Sequence, residues 1–143
     1  MISAIVYTSN SGHTAQYARL LGQATGLPVN DLRQMRNPQP DQEVIYLGWV
    51  MADQVMGLHK ALKMFKVRAI CRVGMSPASK TASDELKANL GLTDTEVFSL
   101  QGGFDMKKLH GPYRWIMLVK CRQIKKMLEE KGNLSPAQQL TYD

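Results

Sequence analysis

The sequence predicts an α/β protein in which a five-stranded parallel sheet of order 2-1-3-4-5 carries helices on both faces. Two observations predict it. Short hydrophobic runs alternate with amphipathic stretches along the chain, as strands joined by covering helices do. The first run, Ile2 to Tyr7, passes directly into the loop Thr8-Ser9-Asn10-Ser11-Gly12-His13-Thr14 and then into a helical stretch ending at Thr25. Right-handed crossovers between such strands favour the doubly wound order.

Taken in order, strands are expected over 2–7, 28–31, 43–48, 67–74 and 95–100, with helices over 13–25, 54–65, 80–90 and 110–130. Gly26-Leu27-Pro28 stops the first helix, because glycine adopts the left-handed cap and proline cannot continue a helix. Gly91 ends the third in the same way. Pro38 and Pro40 restrict the crossover from Arg33 to Gln42 to at most one helical turn. The fourth strand poses a difficulty: it should be apolar on both faces, yet Arg68 and Arg72 fall on one side. Arg68 can reach water from the strand start. Arg72 needs either a carboxylate, as a structural salt bridge, or a route to the ligand end of the sheet. With 143 residues, no repeat and no linker, the chain forms one domain, 1–143.

The loop after the first strand has the chemistry of an anion seat. Its backbone amides and the positive helix end converge on one point. Ser9, Ser11 and Thr14 add hydroxyls there, and Gly12 lets a ligand approach without a Cβ in the way. No lysine or arginine lies in the loop, so it suits a single terminal phosphate rather than a nucleoside triphosphate.

Tyr7-x-Ser9-x-x-Gly12-x-Thr14, with Ala18 four residues on, resembles the N-terminal FMN-phosphate signature of the flavodoxin superfamily. Ser11 stands at the usual Thr place and Asn10 at a usual Gly place. The resemblance implies a flavodoxin-like fold and an FMN phosphate held by Ser9, Asn10, Ser11, Gly12, His13 and Thr14. It further implies an isoalloxazine ring between Trp49, Val50, Met51 and Ala52 on one side and Met75, Ser76 and Pro77 on the other. Ligands in open α/β sheets lie outside the carboxyl ends of strands, which selects the same loops. Trp49 and Met51 offer the broad surface a flat ring needs, although two core residues at a strand end would look the same. Ser99-Leu-Gln-Gly-Gly-Phe-Asp105 and the helix bearing Tyr113-Arg-Trp115 look most like the branch that includes flavodoxin-type protoporphyrinogen oxidase.

Composition restricts the remaining classes. Hydrophobic residues make up 44% and charged residues 21%. Cys71 and Cys121 lack metal or redox spacing and are expected to be reduced and partly buried in a cytoplasmic protein. No apolar run approaches a membrane span, and no signal peptide is expected. The net charge of +6 is concentrated between Met106 and Lys131, with eight basic and two acidic residues, while ten of each sign occupy the rest. That excess suits an anionic substrate, an acidic protein or an anionic inner membrane face touched peripherally. No nucleic-acid motif accompanies it. On the last helix Tyr113, Met117, Cys121, Ile124 and Leu128 form the inward stripe, with Trp115, Val119, Arg122 and Lys126 nearly opposite. The outward Trp either touches a membrane surface, an anionic tetrapyrrole or a partner protein, or is covered by residues 133–143.

His13 contributes through its backbone, and His59 and His110 are isolated, so neither a catalytic side chain nor a metal site is expected. The resemblance implies an FMN-dependent redox protein: a carrier working with a redox partner protein, or an oxidoreductase acting on a small molecule such as protoporphyrinogen. A phospho-ligand-binding module of the same fold without flavin is the alternative. A receiver domain is excluded, because acidic residues are absent after the first strand and Trp49-Val50-Met51 replaces the phosphoacceptor.

Overall fold

The computed structural model describes residues 1–9, 12–51, 54–74, 80–89, 95–101 and 110–134. In chain order these form β1 (Ala4–Thr8), α1 (His13–Thr25), β2 (Val29–Asp31), one 3-10 turn (Leu32–Gln34), β3 (Glu43–Met51), β4 (Gln54–Val55), α2 (Leu58–Met64), β5 (Lys66–Gly74), α3 (Lys80–Asn89), β6 (Glu96–Gln101) and α4 (His110–Glu130). Parallel strands run in the order β2-β1-β3-β5-β6, which is the expected 2-1-3-4-5 arrangement. The two-residue β4 is an addition, pairing antiparallel with the end of β3.

Alternation along the central strands builds a core on each face. Ile5, Ile45, Leu47, Cys71 and Val73 meet α1 and α4 residues such as Tyr17, Leu21, Met117 and Leu128. Val6, Val44, Tyr46 and Ile70 meet Leu58, Ala61 and Met64 of α2 on the other. Both faces are therefore covered, which is why the central strands are apolar nearly throughout. Truncating one of these side chains to Ala costs about 2–5 kcal/mol. On α4 the expected stripe is confirmed over Met117, Cys121, Ile124 and Leu128, all buried. Trp115 is 66% exposed.

Several local expectations change. The helix expected from residue 54 begins instead at Leu58, because Gln54 and Val55 return along β3 and Gly57, at φ 79°, breaks the path. Arg68 has no opposite residue in β3: Val44 pairs with Val67 and Ile45 with Ala69. Such a bulge frees the extra side chain from the strand's alternation, and Arg68 forms an ion pair with Glu43. Arg72 has no such pair among the described residues. Among the described residues, its guanidinium Nη1 donates to the Ser99 hydroxyl on the neighbouring strand at 3.3 Å. Cys71 and Cys121 are free and fully buried rather than partly so, and burial pushes both thiol pKa values up. No helix among the described residues is long and apolar enough to cross a membrane.

Candidate functional site

The sheet opens where β1 and β3 part. Their last pair is Thr8 with Gly48. Beyond it the chain leaves β1 for α1 on one face, and leaves β3 for α2 on the other. The carboxyl ends of the two strands are thus a topological switch point, and such switch points are where open α/β sheets take ligands.

On the β1 side, Ser9 Oγ accepts the Gly12 N–H at 3.1 Å and closes the loop. Gly12 stands before α1 at φ 90° and ψ −13°, a left-handed conformation that glycine adopts without strain. A Cβ there would meet nothing within 4 Å, so the space above the helix start is open. The first turn of α1 holds no acidic residue, and among the described residues no side chain caps it. The amides of Thr14 and Ala15 have no carbonyl inside the helix to bond. The helix end therefore presents donors and positive potential, with no acidic residue in its first turn to neutralise them. His13 is half-buried and Thr14 is buried. Asn10 and Ser11 lie outside the described residues.

On the β3 side, the strand continues past β1 as a hairpin. Trp49 still pairs with Val73 of β5, whereas Val50 and Met51 pair only with Val55 and Gln54. Val50 packs against the α2-side core. Alternation then turns Trp49 and Met51 to the α1 side, where the anion loop lies. Trp49 is half-buried and Met51 is 53% exposed. Thus Trp49 and Met51 share the α1 side of the hairpin, while Val50, also half-buried, faces the α2 side. The space a Gly48 side chain would need is filled by Val55 Cγ1 at 2.6 Å and the Met56 carbonyl at 2.7 Å, so this glycine serves the hairpin's return. Ala52, Met75, Ser76 and Pro77 lie outside the described residues, as does the segment 102–109.

One contributor escaped the sequence reading. The Tyr46 side chain is fully buried, with its hydroxyl 2.7 Å from Thr8 Oγ1 and 2.6 Å from the Met56 carbonyl oxygen. A carbonyl only accepts, so the single phenolic proton goes to Met56 and the Thr8 hydroxyl donates to the phenol oxygen. Burial pushes the Tyr46 pKa up to about 12, keeping the phenol protonated at neutral pH. A polar tip in the middle of an apolar strand was the only available signal.

No protein-family model matches the chain, and no curated protein matches it by sequence. Solved structures do. A flavodoxin from the domain Archaea superposes with a TM-score of 0.55 at 14% identity, over 92% of this chain and 98% of that one. Oxidised Flavodoxin 2 from Bacillus cereus superposes with a TM-score of 0.49 at 14% identity, over 92% and 99% of the respective chains. The chain has the flavodoxin-like fold.

Proposed function

We propose that this protein is a flavin-binding electron-transfer protein that holds FMN non-covalently at the switch point between β1 and β3. The observation that carries this reading is the α1 N-terminus: a left-handed Gly12 with open space at its Cβ position, a hydroxyl-bearing loop, and a helix end with no acidic residue in its first turn. These residues suit a ribityl phosphate. Amides and hydroxyls meet a dianion, and the absence of a lysine is tolerated because the helix end supplies the positive potential. Trp49 and Met51 suit the ring, with a broad aromatic surface and a thioether on the same face as the phosphate loop.

The flavin supplies one- and two-electron transfer when bound. The chain's own contribution is to seat the phosphate at Ser9, Gly12 and Thr14, to cover one face of the ring with Trp49 and to limit water there. Purified protein with visible flavin absorbance, reducible by titrated dithionite and reoxidised by air, is the expected result. Colourless protein that takes up no added FMN leaves the alternative, a phospho-ligand module without redox chemistry. Assays with protoporphyrinogen, quinone and ferredoxin then separate an oxidase from a carrier.

A partner surface belongs to the same proposal. Trp115 is exposed on α4, and Arg122 and Lys126, both exposed, lie along the same face. An aromatic residue flanked by cations complements an acidic protein surface, and we assign it to an acidic redox partner.

A further inference from the structure

We infer that the Tyr46 hydroxyl is a positioning group that locks the phosphate loop and the β3–β4 hairpin together, so that the two ends of the ligand bind cooperatively. The identity of the ligand rests on the flavin reading above; the lock rests on geometry alone. A phenylalanine would fill the same ring volume in the α2-side core. The hydroxyl is therefore not required for packing, and a buried hydroxyl is unfavourable unless both its proton and its lone pairs are satisfied.

Here both are. The phenol donates to the Met56 carbonyl at 2.6 Å and lies 2.7 Å from Thr8 Oγ1. Met56 in turn donates its N–H to the Trp49 carbonyl at 2.9 Å, closing the hairpin. Thr8 precedes Ser9, whose hydroxyl holds Gly12. A continuous chain of contacts thus joins Gly12, Ser9, Thr8, Tyr46, Met56 and Trp49, spanning both halves of the site. There is no slack at its centre. At Gly57, a Cβ would fall 2.3 Å from the phenol oxygen and 2.7 Å from Thr8 Oγ1. An ordered phosphate loop fixes Thr8, and through Tyr46 it fixes the peptide that sets Trp49. Ligand contacts at one end therefore reduce the ordering left to be done at the other.

The test compares wild type with Tyr46→Phe and Thr8→Val, each first checked for folding by urea denaturation. Thr8→Val cuts the link while leaving the Tyr46–Met56 hydrogen bond, so it serves if Tyr46→Phe does not fold. Riboflavin affinity is measured by fluorescence quenching, with and without saturating inorganic phosphate. In wild type, phosphate should tighten riboflavin about fivefold or more, within the usual range for coupled sites. In the variants the ratio should fall to one. A wild-type ratio of one, or a ratio preserved in the variants, overturns the lock. A second readout needs no ligand. The Met56 amide of the apo protein should exchange with solvent about fivefold faster in Thr8→Val than in wild type, with the Val6 amide unchanged. If wild type binds no flavin, the flavin reading fails and this exchange result decides the lock by itself. An unchanged Met56 amide overturns it.

Discussion

Replacing Gly57 and Gly12 by alanine, one at a time, separates two demands the site makes on glycine. Both residues have positive φ, 79° and 90°, so both substitutions carry the left-handed penalty of about 1–2 kcal/mol. At Gly12 nothing lies within 4 Å of the new Cβ, and the cost stops there. At Gly57 the methyl would overlap the Tyr46 oxygen at 2.3 Å and Thr8 Oγ1 at 2.7 Å. Neither can swing away, because the phenol is fully buried and tied to Met56. Displacing it adds about 1–3 kcal/mol of overpacking and about 1 kcal/mol for each buried hydrogen bond broken. With both hydrogen bonds of the phenol lost, Gly57→Ala should therefore cost about 4–7 kcal/mol against about 1–2 for Gly12→Ala. Urea denaturation with a shared m-value measures both. FMN affinity should follow a different pattern, with Gly12→Ala losing affinity out of proportion to its small stability cost. Equal stability costs, or a Gly57→Ala cost below about 1.5 kcal/mol, would refute the packing of the hairpin turn onto the hydroxyl pair.

Further outcomes follow from single contacts. Ser9→Ala removes the acceptor of the Gly12 N–H and should weaken FMN about 5–20-fold while leaving riboflavin within about twofold, by parallel titrations. Stability should decline at alkaline pH, because a group whose pKa is raised by folding stabilises the fold below its ordinary pKa and loses that contribution above it. For Tyr46 the window runs from 10.0 to about 12, worth roughly 2–3 kcal/mol; Cys121, raised from 9.0 to about 12, begins earlier. Urea midpoints from pH 8 upward should fall, less steeply in Tyr46→Phe above pH 10, and a flat wild-type profile contradicts the burial of these groups. Replacing Trp115 by Ser and both Arg122 and Lys126 by Glu should abolish binding to an acidic redox protein. In wild type that binding should weaken steeply with salt, whereas capture by anionic vesicles instead would reassign the surface to lipid.

Periodicity and punctuation made most of the fold legible. The strand order, α1 and its Gly26 cap, and the buried stripe of α4 each follow from hydrophobic spacing, which both cores then satisfy. The β3–β4 hairpin was not legible, because Gln54 and Val55 fit a helix as well as a strand, and the deciding contact is tertiary, across Gly48. The bulge at Arg68 was hidden for a similar reason: a single extra residue changes which face each side chain occupies without altering composition. In the candidate site, the turn into α1 was legible: Ser9 and Gly12 stand where a loop closes ahead of a helix, and the structure has the Ser9 hydroxyl accepting the N–H of a left-handed Gly12. Tyr46 was not, since its role depends on Thr8 and Met56, 38 and 10 positions away.

The most direct test is a fluorescence titration of the apo protein with FMN and, in parallel, with riboflavin, which lacks only the phosphate. A cation-free seat at Ser9 to Thr14 coupled to a ring site at Trp49 predicts saturable quenching by both, with FMN bound at least about tenfold more tightly. Equal affinities would remove the phosphate seat, and no quenching by either ligand would contradict the flavin site altogether.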